Sequence, residues 1–565
     1  MLSDDETRAP FATYFSIDAF DISGERLMGR QAAGNSYLKA LFNQNYDNVA
    51  LYVGSVLDNP RDSNISNKML GFLKNSTSFD DNTNIKLIPY DEPDTTNQFG
   101  GIFRPDPKIE QLARHRGYFG HDTYSLIGIT HTTASHSIMT SLTEIVTSPI
   151  MPWDALICTS KSVKDTVEVI HNNYYEYLNF RFGITKKPEM QLPVIPLGIN
   201  IDEFKTERNR DNIRTSYSIN KDDIAIIFVG RISFHAKAHN VPMFLALERL
   251  AQETSKKKIH FIMAGWFPNE AIKRVFIEDA AKVCPSVKVI FVDGRDQEKK
   301  FDVYAAGDIF FSLTDNIQET FGLTPLEGMA SGLPVVVSDW NGYRDTVRDG
   351  IDGFRIRTTS YPEELSQILA YRHDLGLDTY DRYCGYHSQF TSVDILEAVK
   401  KLKILIEDKD LRRELGNNAR KHASEKFSWS VILKSYSDLE KQLFAMRKEK
   451  HKIDKSYLKM RFPDRLPPYE IFRSYPSQFL DHNSLFAKNN DINPFQFKEL
   501  MQSESINFAS VVLPEEKDID FVLDTMNNNN NITFEKLISK TGIKDAELLK
   551  VLAVLLKYGY INVKD

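Results

Sequence analysis

Two carboxylates and two cations have the types and spacing to act together. Glu319 and Glu327 stand with seven residues between them in the stretch ETFGLTPLEGMASGLPVV. Glu319 precedes Phe321-Gly322, where a helix should open, and Glu327 falls about one turn inside it. The first-turn N–H groups near Gly322, Leu323 and Thr324 have no partner within a helix. They can hold an anion, and glycine lets its oxygens come close. Arg231 follows the apolar run Asp223–Val229 and offers a two-pronged fork; Lys237, six residues on, offers a mobile point charge. Cations and helix mouth together suit a diphosphate. The carboxylates would then meet a sugar and a ribose, which describes a sugar nucleotide. The spacing alone is weak. It also fits a buried unit whose carboxylates only cap or solvate the helix, with two solvated loop cations nearby.

The elements that must position these groups read from Ile309 to Val347 as strand, loop, helix, strand, helix. Ile309–Leu313 has strand length, Thr314–Thr320 is polar loop, and a helix of about three turns should follow Phe321-Gly322. Gly332 stands where a helix-ending glycine belongs and Pro334 blocks continuation. Val335–Val337 makes the next buried strand. In such βαβ units ligands sit at the carboxyl ends of strands.

Strands and helices alternate through the rest. Expected strands in the first half are Thr13–Ala19, Asn48–Val53, Asn84–Pro89, Tyr124–Thr130 and Trp153–Thr159, with helices at Asn67–Lys74 and at Lys161–His171, the latter capped by Ser160. Gly29 and Gly34, in LMGRQAAGNSYLKALF, form a glycine-rich strand-to-helix turn usable for a phosphate or for close packing. His131 ends the Tyr124–Thr130 strand and could face a cleft, although most lone histidines are structural. In the second half, strands at Ile259–Ala264 and Val287–Val292 follow, the last leading to Gly294.

The full string ETFGLTPLEGMASGLPVV, flanked by both strands, resembles the retaining, nucleotide-sugar-dependent glycosyltransferases of family four, whose pattern is E-x-F-G-L-x-x-L-E-x-M-A-x-G-x-P-V-V. The resemblance covers about residues 12 to 446. It implies an α/β fold of GT-B architecture, two Rossmann-like domains facing across a cleft. The N-terminal (acceptor) domain would span 12–205 and the C-terminal (donor) domain 206–446, with Val194–Asn200 as hinge strand and Trp429–Met446 crossing back. By the same resemblance His131, Arg231, Lys237 and Glu319 are catalytic. Gly29, Gly294, Phe321, Gly322, Leu323, Thr324 and Glu327 then bind the donor. No Asp-x-Asp motif stands in the expected setting, so no essential metal or cofactor is expected. Two departures stand out. The family's lysine-glycine pair appears as Lys237-Ala238 in GRISFHAKAH, and Thr358–Val393 has no counterpart.

The remaining signals bound the setting. At 565 residues, 42% hydrophobic and 26% charged, the chain suits several globular domains. A net charge of −7 gives no global argument for nucleic acid. Three scattered cysteines, Cys158, Cys284 and Cys384, fit a reducing compartment and no metal site. No signal peptide or spanning run is read, so a cytoplasmic protein is expected. Residues 441–465 carry nine Lys/Arg against three acids, a candidate for peripheral contact with the inner membrane face, though such a run also fits a solvated linker. A basic and proline-rich linker is expected over 447–514, then a small winged-helix-like module over 515–565. That module holds nine acids and seven lysines, which disfavours nucleic acid and points to a protein partner or self-association. The implied activity moves a sugar from a nucleotide-sugar donor to a glycan or lipid-linked glycan acceptor, in the resembled family's breadth a bacterial envelope polysaccharide. The alternative is a non-catalytic GT-B scaffold that only binds the nucleotide sugar.

Overall fold

The computed structural model describes every residue except 1–7, 23, 25–28, 45, 78–82, 205–207, 255–256, 450–452, 482, 490–493, 528, 530 and 565. The expected domain boundary at 205/206, the turn residues just before Gly29, and Lys450 and Lys452 of the basic run lie outside the described residues. The chain divides into two compact units, residues 1–462 and 463–565.

The first unit holds two six-stranded sheets. One contains β1 (Ala12–Phe15), β2 (Asn48–Val53), β3 (Asn84–Ile88), β4 (Gly101–Phe103), β5 (Ser125–Ile129) and β6 (Ala155–Ile157), in the order β3-β2-β1-β4-β5-β6. The other contains β7 (Ile224–Val229), β8 (Ile259–Gly265), β9 (Lys288–Asp293), β10 (Ile309–Ser312), β11 (Val335–Ser338) and β12 (Gly353–Ile356), in the order β12-β11-β10-β7-β8-β9. Counted from each sheet's first strand, the two orders are the same. All pairings are parallel. This is the two-Rossmann, GT-B arrangement. Every residue of β7, β8, β10 and β11 is buried, as a parallel sheet covered on both faces requires. Strand order reverses between β1 and β4 and between β7 and β10, and at such points the crevice for a ligand opens.

Two chain crossings join the lobes side by side. The Ile199 N–H donates to the Phe427 carbonyl at 2.8 Å, and the Trp429 N–H to the Ile199 carbonyl at 3.3 Å. A Cβ on Gly198 would lie 2.4 Å from Trp429 Cδ2, so the crossings touch. The helix Trp429–Lys448 returns to the first lobe, two residues longer than expected. Trp429 Nε1 donates to Ser36 Oγ at 2.7 Å, Tyr436 packs on Tyr37 and Phe103, and Arg447 donates to the Asn97 side chain at 3.1 Å.

Several expected bounds shift. The first strand stops at Phe15, and Ile17–Phe20 is helical. The helix expected at Asn67–Lys74 spans Ser63–Ser76. The helix that Ser160 caps runs to Phe182 instead of His171, because its stop is Gly183 in the left-handed region at φ 69°. The helix after Gly322 has eight residues, Leu323–Ala330, fewer than three turns, since Gly322 lies outside it and Gly332 turns the chain at φ 77°. Thr358–Val393 is a folded insertion. Its ends, β13 (Thr358–Ser360) and β14 (Thr391–Val393), pair antiparallel, and helices Gln367–Asp374 and Tyr380–Gln389 lie between.

The stretch expected as linker is structured in part. Residues 453–462 pack on the first lobe: the His121 N–H donates to the Leu458 carbonyl at 3.0 Å, and Leu458 joins Met151 and Trp153 in a small core. In the second unit, β15 (Leu485–Lys488) is the central strand of an antiparallel sheet ordered β16-β15-β17, with β16 Ile532–Thr533 and β17 Ile561–Lys564. Helices Glu516–Asn527, Phe534–Thr541 and Asp545–Lys557 close a core of Phe486, Val522, Leu537, Val551 and Leu555. This winged-helix-like module therefore begins before residue 515.

Candidate functional site

The candidate site lies at the β7/β10 reversal. Beside it the carboxyl ends of β7, β8 and β9 approach one another closely. A Cβ on Gly265 would sit 1.8 Å from the Gly230 carbonyl oxygen, and one on Gly294 would sit 2.8 Å from the Gly265 nitrogen. Gly294 is thus required by backbone packing of strand ends.

Arg231 leaves β7 directly after Gly230. Its Nη2 donates to the Ala236 carbonyl at 2.8 Å and to the Gln318 side-chain oxygen. Burial pushes its pKa down, so a second charge of opposite sign would be welcome beside it. Lys237 lies against Gly230, whose Cβ would be 3.4 Å from the lysine Cε. Its ammonium pairs with Glu319. Burial pushes the Glu319 carboxyl up, but the Lys237 charge and hydrogen bond, with the Thr320 and Phe321 N–H groups, hold it below its ordinary range. Glu319 is therefore an ionised, buried carboxylate. The Tyr343 hydroxyl stands 3.4 Å from it and 3.0 Å from Thr314 Oγ1.

Gly322 has φ 98°, and a Cβ there would meet Tyr343 Cε1 at 2.1 Å. No other residue fits this turn, which brings Leu323 and Thr324 into the first helical turn. Among the described residues Thr324 Oγ1 is buried with no hydrogen-bond partner, so its hydroxyl is available to a ligand oxygen. Phe321 is buried with its ring 6.1 Å from Phe427. Glu327 turns toward the helix Gln297–Ala306, where Lys300 Nζ lies 3.1 Å from one oxygen and the Tyr304 hydroxyl donates to the other at 2.7 Å. A carboxylate has about four acceptor directions, so capacity remains for hydroxyls.

The first lobe contributes across the cleft. His131 follows β5, with Nε2 3.1 Å from the Pro105 carbonyl, and burial lowers its pKa, so the ring is neutral. Its own carbonyl accepts from Thr320 Oγ1, one residue past Glu319. Ser160 Oγ donates to the Thr320 carbonyl at 3.0 Å, and the Lys161 N–H to Asp345 at 2.6 Å, so the lobes meet at this level. Gly29 begins the helix Gly29–Asn43, and among the described residues a Cβ there would meet nothing within 4 Å; the packing glycine is Gly34, whose Cβ would lie 3.0 Å from the Ala19 carbonyl oxygen. The Arg30 charge adds to the lowering of the His131 pKa, after burial. The structure thus gathers Arg231, Lys237, Glu319, Phe321, Gly322, Leu323 and Thr324. It sets Glu327 in its own pair beside them, His131 across the cleft, and Gly294 and Gly29 at the margins.

Reading the sequence missed Gln318, Lys300, Tyr304 and Tyr343, whose roles come from contacts distant in sequence. It also missed Arg104 and Asp106 at the first lobe's reversal. They pair at 2.6 Å, with the guanidinium 4.4 Å from the Tyr14 ring centroid. The only signal was Arg104-Pro105-Asp106 after Gly100-Gly101, and the three-residue β4 is too short to announce itself.

Residues 209–372 match the family model described as glycosyl transferases group 1. A D-inositol 3-phosphate glycosyltransferase of Nocardia farcinica is 27% identical over 216 residues, 37% of this chain and 47% of that one. An uncharacterized glycosyltransferase of Methanocaldococcus jannaschii is 25% identical over 283 residues, 49% of this chain and 57% of that one. The chain thus spans about half the length of these curated relatives. Among solved structures, Anabaena HepE in complex with UDP and glucose aligns with 77% of this chain and 100% of its own, at 13% identity and TM-score 0.47. The sucrose-phosphate synthase of Thermosynechococcus elongatus aligns with 78% and 100%, at 16% identity and TM-score 0.47.

Proposed function

We propose that this chain, whose residues 209–372 carry the glycosyl transferases group 1 segment, transfers a sugar from a nucleotide-diphosphate donor to a glycan or lipid-linked glycan, with retention at the anomeric carbon. The observation that carries this reading is the half-buried Lys237–Glu319 pair beside the Gly322 helix mouth at the β7/β10 reversal. A diphosphate at that mouth competes with Glu319 for the Lys237 ammonium. Its arrival frees the carboxylate for the donor sugar, whose charge changes during transfer. Arg231 supplies the second cation. Charge-assisted hydrogen bonds contribute about 1.5–3 kcal/mol each and an exposed helix terminus about 0.3–1, so the cations outweigh the dipole. Glu327, held by Lys300 and Tyr304, takes the ribose hydroxyls, and neutral His131 faces sugar and acceptor. With two cations on the leaving group, the reading requires no metal.

The acceptor reading, a bacterial envelope glycan, rests on the family's breadth, and its setting would be the cytoplasmic face of the inner membrane. Among the described residues no helix is long and apolar enough to cross a membrane. For the winged-helix-like module, the acid-rich composition supports a protein partner or self-association over a nucleic acid.

A thermal-shift screen of nucleotide sugars tests the reading. A matching donor at a hundred times its dissociation constant should stabilise the chain by about 2.7 kcal/mol. Donor hydrolysis by the same sample separates an enzyme from a binding scaffold. No shift with any nucleotide sugar would sink the proposal, and a shift without hydrolysis or transfer would leave the scaffold.

A further inference from the structure

The insertion between β12 and the helix Ile395–Glu407 lies against both lobes. Its helix Tyr380–Gln389 covers the loop that carries Lys237: a Cβ on Gly385 would meet His235 Cβ at 2.7 Å, and Asp381 lies 3.6 Å from His235 Nε2. The same helix reaches the Glu319 loop, where Asn316 Nδ2 donates to Ser388 Oγ at 3.3 Å and to the His235 carbonyl at 3.0 Å. Tyr380 then joins the lobes. Gln318 takes the Arg231 fork on its oxygen, so its amide nitrogen donates to the Tyr380 hydroxyl at 3.0 Å. That hydroxyl stands 3.1 Å from Thr132 Oγ1, on the residue after His131, with the Cys384 thiol also beside it. A second contact runs parallel to it: His136 Nε2 lies 2.8 Å from the His373 carbonyl, with the rings 3.8 Å apart.

We infer that the 358–393 insertion couples closure of the lobes to the donor site, with Tyr380 as a positioning residue for Arg231 and the Glu319 loop. The inference rests on the glycosyltransferase reading of that site. When the lobes close, Thr132 meets Tyr380, Tyr380 fixes Gln318, and Gln318 fixes one arm of Arg231. The fork's other nitrogens are left for the diphosphate. Glu319 is the next residue after Gln318, so the same bond holds the base of its loop. Such a chain of hydrogen bonds acts as a unit. A group that acts only in the closed state should change turnover more than nucleotide affinity.

The test uses the full chain with Tyr380→Phe, Thr132→Val, Thr132→Ser and the Tyr380→Phe/Thr132→Val pair. Tyr380→Phe and Thr132→Val should each lower the turnover of donor hydrolysis about tenfold, with UDP, GDP or ADP affinity, whichever binds, within about threefold. Thr132→Ser keeps the hydroxyl and should keep turnover. The double variant should be no slower than the slower single one, as expected for partners in one interaction. Full turnover in Tyr380→Phe, or single losses that multiply in the pair, would overturn the inference. A second arm needs no ligand. In the unliganded chain, Tyr380→Phe should speed hydrogen exchange of amides in both 130–136 and 315–320 by about fivefold. Unchanged exchange in either segment overturns the coupling. Wild-type chain that neither hydrolyses nor transfers the sugar of any donor defeats the glycosyltransferase reading, and the exchange arm still decides whether Tyr380 ties the lobes.

Discussion

The two lobes of residues 1–462 share one strand order and furnish their cleft ends in opposite ways. After β7, β9 and β10 the second lobe places half-buried ion pairs, Lys237 with Glu319 and Lys300 with Glu327, around a helix mouth that only Gly322 permits. After β1, β4 and β5 the first lobe places a neutral His131 and one pair, Arg104 with Asp106, stacked on Tyr14. The common scaffold sets where a ligand can lie. The loops set which groups it meets, and here they give the second lobe two ion pairs at a helix mouth and the first lobe one ion pair and a neutral imidazole.

The largest expected effect probes the helix mouth. Gly322→Ala meets both the φ of 98° and the 2.1 Å overlap with Tyr343. Strain of about 1–3 kcal/mol and overpacking of similar size should lower unfolding stability by about 2–5 kcal/mol. Gly29→Ala in the other lobe, with nothing among the described residues within 4 Å, should be neutral in the same denaturant titration. Equal losses would erase the contrast between the two glycines.

Next come the carboxylates. Glu319→Gln should cut turnover by about 10–1000-fold, equivalent to about 1.4–4 kcal/mol. Glu327→Gln, which leaves Lys300 unpaired, should mainly raise the Michaelis constant and weaken free nucleotide alike. Steady-state constants against donor concentration separate the roles, and the reverse outcome would exchange them.

Arg231→Ala should weaken nucleoside-diphosphate binding by about 10–100-fold in calorimetry, the loss of one charge-assisted contact. Lys237→Ala should weaken it less, because it also removes the partner Glu319 now has. Unchanged affinity in Arg231→Ala would move the diphosphate elsewhere.

The smallest effects concern pH, and the lobes should respond with opposite signs. Asp315 follows β10 and is buried; burial pushes its carboxyl up from 3.8 to about 7. The unfolded chain gives up that proton near 4, the folded one only near 7, so Asp315 costs stability increasingly as pH rises through that window. Asp315→Asn should therefore be more stable than wild type at pH 8, by about 1–2 kcal/mol, and equal near pH 4. His131 has its pKa lowered by burial, so the unfolded chain takes a proton below about 6.5 that the folded chain refuses, and stability falls toward acid. His131→Asn should narrow that acid loss and change little at pH 8. Melting temperatures at the two pH values check both variants, and a shift of the same sign in each would remove the contrast.

Much of the second lobe was legible because its strands are continuous apolar runs bounded by glycine and proline. Val335–Val337 between Pro334 and the next polar loop, and the string from Glu319 to Val336, carry their structure in local order. The first lobe was harder. β4 has three residues and announces itself only through pairing with β1 and β5. Leu485–Lys488 lay in a stretch that looked like linker, since its partners are residues 532–533 and 561–564. Among the candidate groups, Glu319 was singled out by the full motif string, but its pairing with Lys237 was not legible. The partners of Glu327 sit on another helix, and Tyr380 meets Thr132 across 248 positions. Long-range contacts of this kind leave no trace in a local pattern.

The paired crossings at Ile199 and Phe427–Trp429 have a mechanical consequence. A body tied to another at one connection can tumble, and one tied at two distant points can scarcely move. Two connections bonded to each other act as a single pivot. The lobes are left with rotation about that spot and little freedom to slide. Opening then widens in proportion to distance from the pivot, and the same arc brings every facing residue back into register on the return stroke.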